Sequence, residues 1–325
     1  CAANPARGRP LWELGMVDGL EGGRWALSSK VHHCMVDGVS ATDLLTVLLD
    51  REPQPTPTRA PTWHPQKEPS DLHLLADTVA DAILDPIDRI RGLPLLARAN
   101  LAAGFSITDL RNLAASYRTW LHPTVGELNG RIGPHRRWSW ANATLDEVKE
   151  VRTALGGTVN DVVLAAITRG FRDLLLGRGV EIEGKVVRTL VPVSVRSENE
   201  RGVYNNRVSG LFPGLPIGIE DPVERLDNIR QQMTAFKGSG QAVAGDVLTK
   251  LGGFAPPMLL SLSARLGTMW QQRMVQTVTT NVPGPQFPLY SARPQLVYAY
   301  PYVPMAGTVR IRTSIFPHRG SFTCR

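Results

Sequence analysis

The segment His32-His33-Cys34-Met35-Val36-Asp37-Gly38 holds the residue types and spacing best suited to proton transfer in this chain. An imidazole titrates near neutrality and serves as a general base when a strand end projects it into a crevice. Successive side chains of an extended segment point to opposite faces, so only one of His32 and His33 can face a given substrate channel. Asp37, short and acidic beside Gly38, suits a residue that shapes a turn through local hydrogen bonds. Other readings stay open. A histidine pair also ligates metal, but no Cys, His or carboxylate group at ligand spacing accompanies this one. The blander alternative is that His33 is a hydrogen-bonded core histidine. Cys34 reads as packing, because a neighbouring general base explains the chemistry without a covalent step.

Elements on both sides must hold that segment. Leu11–Leu20 and Arg24–Val31 read as strands joined by Glu21-Gly22-Gly23, with the glycine pair supplying the backbone freedom of a tight turn. A helix follows, capped by Ser40 with Asp43 at the capping-box position and an apolar face of Leu44, Leu45, Leu48 and Leu49. Prolines 53, 55, 57, 61, 65 and 69 then make a stiff linker. Helical periodicity runs through Asp71–Gly104, interrupted at Pro86 and Pro94, and through Ile107–Leu121. A strand is expected at His135–Ala141, then a helix opened by Thr144 and Glu147 and closed by Gly156-Gly157. Asn160–Leu176 reads as an apolar helix, with Asn160-Asp161 as its cap. Val186–Val195 and Val208–Phe212 read as strands, Pro222–Phe236 and Val243–Leu266 as helices. Val275–Val282, Leu296–Val303 and Thr308–Phe316 read as extended. Mixed strands and helices of this kind predict α/β or α+β layers.

Composition narrows the function classes. With 42% hydrophobic and 20% charged residues in 325, the chain has ample material for a core, which excludes global disorder. Three scattered cysteines exclude a disulfide scaffold and fit a reducing, cytoplasmic setting. No segment reads as a membrane span, since the uncharged stretches 251–264 and 274–292 are broken by proline or rich in polar residues. The net charge of +7 comes from 30 arginines and 6 lysines against 29 acids. Between residues 85 and 137, eight arginines face four carboxylates. Such a surface suits an anionic membrane, a phosphorylated cofactor or solvent alone. No reading module accompanies it, so no nucleic-acid partner is expected.

His32-His33-x-x-x-Asp37-Gly38 resembles the active-site motif of the coenzyme A-dependent acyltransferase superfamily, which includes chloramphenicol acetyltransferase, peptide-synthetase condensation domains and the bacterial wax ester synthase/diacylglycerol acyltransferases. The last family is similar over nearly the whole chain. Pro10-Leu11-Trp12, Leu128-Asn129-Gly130 with Ile132-Gly133-Pro134, Asn160-Asp161, Pro192–Arg196, Asn205-Asn206 and Thr280–Pro285 match its motifs in order. The resemblance implies an α/β, two-lobe, chloramphenicol acetyltransferase-like fold. It divides the chain into part of an N-terminal lobe at 1–66, a helical connection at 67–128 and a C-terminal lobe at 129–325. Relatives carry more strand before Pro-Leu-Trp and a closing helix after the last strand, so an incomplete N-lobe and a truncated C-lobe are expected. It implies transfer of a fatty acyl group from acyl-CoA to diacylglycerol or a long-chain alcohol, with no bound cofactor and acyl-CoA as cosubstrate. His33 is then the base, with His32, Asp37 and Gly38 around it, Asn160 and Asp161 toward substrate, and Asn281 as oxyanion donor. Peripheral contact with the inner membrane or lipid droplets follows from the insoluble acceptor. Rival readings are an acyltransferase or condensation enzyme with another acceptor, and a noncatalytic lipid-binding protein or pseudoenzyme.

Overall fold

Glu21, Gly22 and Gly23 turn the first hairpin, and both glycines take positive φ (74° and 66°) that a side chain would strain. The computed structural model describes residues 10–32, 45–55, 70, 72–73, 75–76, 122–194, 208–238, 274–282, 284–291, 293–303, 305, 307–318 and 321–324. Within these, β1 (Trp12–Leu20) pairs antiparallel with β2 (Arg24–Val31), as the alternation predicts. The ladder slips between Val17 and Leu20, where the Gly19 N–H binds Asp18 Oδ1 at 2.8 Å. Alternation gives the hairpin one apolar face, through Trp12, Leu14, Met16, Leu27 and Val31. Glu13 and Lys30 face the other way, 3.5 Å apart.

The second sheet is mixed. Its strands are β3 (Ala141–Thr144), β4 (Val187–Ser194), β5 (Val208–Leu211), β6 (Gly214–Leu215), β7 (Thr277–Asn281), β8 (Ile311–His318) and β9 (Ser321–Cys324). They lie in the order β3-β9-β8-β7-β4-β5, with β6 pairing β4 beside β5. The centre is parallel, β4 to β7 to β8, and the flanks are antiparallel.

Helices α1 (Leu145–Leu155), α2 (Val159–Leu176) and α3 (Pro222–Gly238) accompany it. α2 presents Leu164, Thr168, Phe171 and Leu175 at helical spacing, and α3 presents Leu226, Ile229, Met233 and Phe236. All of these except Thr168, whose hydroxyl donates to Leu164 O at 2.7 Å, meet Val187 and Val191 of β4 and Leu211 and Leu215 in one core. A smaller cluster joins Ile315 of β8 to Val163, Val159, Leu145 and Val148. The helices therefore cover the sheet face that carries Thr277, Thr279, Ile311 and Ile315. The opposite face carries Arg188, Val278, Arg312 and Ser314.

Thr144 caps α1 in the expected reciprocal box with Glu147. The Thr144 backbone N–H, then its hydroxyl, hold the Glu147 carboxyl below the ordinary glutamate range. α2 starts one residue earlier than expected. Its cap is Thr158, and Asp161 is the third helical residue, closing a second box rather than capping. Asp161 is thereby 3% exposed.

Two expected elements differ. The strand read at 135–141 is β3 at 141–144, since its ladder runs only from Ala141↔Cys324 to Thr144↔Ser321. Residues 296–303 form no ladder either. In both stretches the period-2 pattern of large side chains is real, but it is used for ring contacts between Trp138, Trp140 and Tyr300. The short strands β6 and β9 carry too few residues for alternation to reveal them. The helix expected after Ser40 is described only at residues 45–48. The segments read as helices at 107–121 and 243–266, and nearly all of 71–104, lie outside the described residues.

Candidate functional site

β2 delivers the histidine motif. The His32 N–H donates to the Leu11 carbonyl at 2.8 Å, carrying the hairpin ladder one step past Val31. His32 lies on the same strand face as Ser28 and Lys30 and is exposed. His33, Cys34, Asp37 and Gly38 lie outside the described residues.

The chain that follows the motif is tied to the C-terminal half. Asp50 and Tyr290 exchange backbone hydrogen bonds, 2.8 Å each way. Beside them the Arg51 guanidinium sits 4.3 Å from the Phe287 ring centroid. Leu49 and Leu289 are buried at this junction, Leu289 completely. The sequence gives no local signal for this pairing, because it joins residues 240 positions apart through the backbone.

Tyr290 belongs to the turn that leaves β7, and that turn is clamped onto the end of β8. The Val282 N–H donates to Ile315 O at 3.2 Å. Gln286 Nε2 donates to the carbonyls of Gly284 (2.9 Å) and Pro317 (3.2 Å). His318, 4% exposed, donates from Nδ1 to the Pro285 carbonyl at 2.9 Å. Gly284 allows the close approach, since a Cβ there would lie 2.7 Å from Phe316 Cζ and overlap the Pro317 carbonyl oxygen. Asn281 is held where β7 enters this clamp, paired with Ile315.

Asn281 shares the helix-covered face with Thr277 and Thr279. α2 begins at the same end of the sheet, because Val159 and Val163 pack on Ile315. The first turn of α2, with Asn160 and Asp161, and the end of β7, with Asn281, thus lie toward the carboxyl end of the parallel strands, where open α/β sheets place their ligands, and no hydrogen bond joins them among the described residues. The positive end of the α2 dipole points there too. His32 belongs to the separate hairpin sheet. Asp161 Oδ2 accepts the Thr158 N–H at 2.8 Å, while Oδ1 is buried with no hydrogen-bond partner among the described residues. Thr158→Ala is expected to cost about 1 kcal/mol in thermal or urea unfolding with KM unchanged. Asn160→Ala is expected to leave stability within about 0.5 kcal/mol and to raise KM, which steady-state kinetics on the same samples would read.

Leu128-Asn129-Gly130 has a visible mechanical role. Asn129 Nδ2 donates to Val275 O at 2.9 Å, and the Gly130 N–H donates to Thr308 O at 2.8 Å. That motif fastens the segment before β3 to the starts of β7 and β8.

Two arginines on the face away from the helices were not singled out by pattern. Arg188, 2% exposed, donates from Nη1 to Met274 O at 3.1 Å. Arg312 pairs with no carboxylate among the described residues, and its Nε is buried without a hydrogen bond. Burial lowers the pKa of both below the ordinary arginine value. A charge facing inward on alternate residues of two parallel strands was the available signal. Among the described residues no three His, Cys, Asp or Glu side chains group as metal ligands, and no helix is long and apolar enough to cross a membrane.

Two domain models match the chain. The wax ester synthase/diacylglycerol acyltransferase catalytic domain matches residues 6–163, and the C-terminal domain of the same family matches residues 204–323. A probable diacylglycerol O-acyltransferase, tgs1, of Mycobacterium tuberculosis is 33% identical over 95% of this chain, which covers 64% of that protein. A second M. tuberculosis protein, the probable diacylglycerol O-acyltransferase tgs2, is 30% identical over 91% of the chain and 63% of its own length. The solved wax ester synthase/diacylglycerol acyltransferase of Marinobacter aquaeolei VT8 superposes with a TM-score of 0.60 at 25% identity. That match takes in 98% of this chain and 65% of the other. The chain spans somewhat less than two thirds of the length of these relatives.

Proposed function

The chain belongs to the wax ester synthase/diacylglycerol acyltransferase family, and from that premise we propose that it moves a fatty acyl group from acyl-CoA to a lipid hydroxyl. The acceptor is diacylglycerol, giving triacylglycerol, or a long-chain alcohol, giving a wax ester. The observation that carries this reading is the His-His-x-x-x-Asp-Gly segment within a chain 33% identical, over 95% of its length, to a protein named as a diacylglycerol O-acyltransferase.

His33 takes the hydroxyl proton as the acceptor oxygen attacks the thioester carbonyl. The tetrahedral intermediate collapses, the C–S bond breaks, and the imidazolium returns the proton to the leaving CoA thiolate. Acyl group, proton and electron pair balance without an acyl-enzyme, a metal or a bound cofactor. Asp37 and Gly38 shape the loop that presents His33, with His32 beside it at the strand end. Asn281 supplies a donor to the oxyanion. Its support is its position at the carboxyl end of β7, beside the α2 N-terminus. Asn160 and Asp161 contribute to substrate binding at that end. Arginines meet the CoA phosphates, and Arg312 is a candidate because no described carboxylate neutralises it.

Incubating the full chain with labelled oleoyl-CoA and a panel of diacylglycerol, long-chain alcohol and amine acceptors tests the proposal. Labelled triacylglycerol or wax ester, with free CoA released in equal amount, is the expected result. Product on the amine alone would favour the condensation-type rival. Saturable acyl-CoA binding without product from any acceptor would favour the noncatalytic one.

A further inference from the structure

We infer that Trp138, Trp140, Tyr298 and Tyr300, with Arg136 and Arg137, form a docking face for an anionic lipid surface. The four rings make one patch. Trp138 lies 5.1 Å from Trp140 and 5.4 Å from Tyr300 between ring centroids; Trp140 to Tyr300 is 5.8 Å and Tyr298 to Tyr300 6.0 Å. Each ring is more than a third exposed, Trp140 at 52% and Trp138 at 46%. Rings packed on one another yet left open to water on this scale mark a surface that meets something else.

The residue types select a lipid interface. Trp and Tyr combine an apolar body with a polar tip, and they concentrate where hydrocarbon gives way to headgroups. The charge supplies the second attraction. Arg131, Arg136 and Arg137 are exposed, the last two leading directly into the tryptophans, and none forms an ion pair among the described residues; Arg136 donates to the carbonyls of Gly133 and His135. The two stretches that build the patch carry no acid of their own. There is no Asp or Glu from residue 129 to 145, and none from 247 to 325. An acid-free aromatic surface edged with unpaired arginines lacks its anion, and phosphate headgroups supply one.

The same composition could suit a nucleic acid, but base binding needs open ring faces. Here the rings are turned against each other, Trp138 to Tyr300 at 84° and Trp140 to Tyr300 at 61°. The choice of lipid also rests on the acyl-transfer reading, whose acceptor and product partition into membranes. The face takes in Arg131, Arg136 and Arg137, the end of the arginine-rich stretch 85–137, whose other five arginines lie outside the described residues.

The test is flotation of the full chain with vesicles of phosphatidylcholine, with or without phosphatidylglycerol, at low and high salt. Tryptophan quenching by brominated phosphatidylcholine is recorded alongside. Wild-type protein is expected to float with the anionic vesicles, to release at high salt and to be quenched. Trp138→Ser with Trp140→Ser is expected to weaken vesicle binding about tenfold and to remove most of the quenching. Arg136→Gln with Arg137→Gln leaves the rings in place and should weaken binding about tenfold at low salt, with less effect at high salt. Thermal melts and activity on a micelle-free short-chain acyl-CoA and alcohol should match wild type for every variant. Vesicle binding unchanged in both double variants would overturn the inference. So would a dimer, or binding to single-stranded DNA, that depends on these residues while vesicle binding does not. Patch-dependent flotation from a protein inactive on every acceptor would sustain the docking face and remove the acyl-transfer reading.

Discussion

His33→Ala is expected to lower acyl transfer by about 10²–10⁴-fold, the range for losing a positioned general base. The loss should fall on kcat, because the imidazole acts on the hydroxyl proton and the leaving thiolate rather than on substrate affinity. His32→Ala should reduce activity far less. His32 extends the β1–β2 ladder through its backbone, which alanine retains. Its side chain occupies the face with Ser28 and Lys30. Single-turnover assays with labelled acyl-CoA, run beside circular dichroism of each variant, read the comparison. Wild-type turnover by a folded His33→Ala protein would remove His33 from the mechanism. Equal losses for both histidines would show that the motif acts as a unit.

Local signals in the sequence were enough for much of the fold. The hairpin was legible because its turn needs glycine and its strands alternate. α1 was legible because Thr144 and Glu147 sit three apart before an amphipathic run. The parallel centre appeared as the apolar, β-branched segments that became β4, β7 and β8. α2 was placed correctly but capped wrongly. Asn160-Asp161 drew the eye, whereas Thr158 and Asp161 make the box. The aromatic alternation at 138–140 was read as a strand, and that at 298–302 as extended chain. Period 2 reports only that side chains share a side, and does not say whether backbone hydrogen bonds or rings join the neighbours.

The candidate site was legible in part. The motif residues and Asn281 can be named from the sequence, and their family setting is borne out by the domain matches. The Asp50–Tyr290 bridge, the Gln286 and His318 clamp and the buried Arg188 and Arg312 could not be read. Each depends on contacts across long sequence separation, and no propensity or spacing encodes such contacts. The clamp also explains why the Thr280–Pro285 motif carries its glycine. That turn must lie flat on the end of β8 while holding Asn281 in register with Ile315.

That clamp leads to the second large expected effect. Asn281→Ala should lower kcat about 10²-fold if its amide donates to the oxyanion. Thermal stability should change little, because Asn281 closes β7 through backbone pairing that alanine keeps. Gly284→Ala should act differently. Its Cβ meets Phe316 Cζ at 2.7 Å and Cε1 at 2.8 Å, and it overlaps the Pro317 carbonyl, so the turn must lift from β8. Crowding of this kind costs about 1–3 kcal/mol, and displacing Asn281 should lower kcat as well. Differential scanning calorimetry and kcat measured on the same preparations separate the two. Loss of rate without loss of melting temperature marks a chemical role for Asn281, and loss of both marks the turn as its support. If Asn281→Ala keeps full kcat while Gly284→Ala loses it, the oxyanion donor is another group that the same clamp positions. The backbone N–H groups at the start of α2 would then be the first to test, because they open at the same end of the sheet.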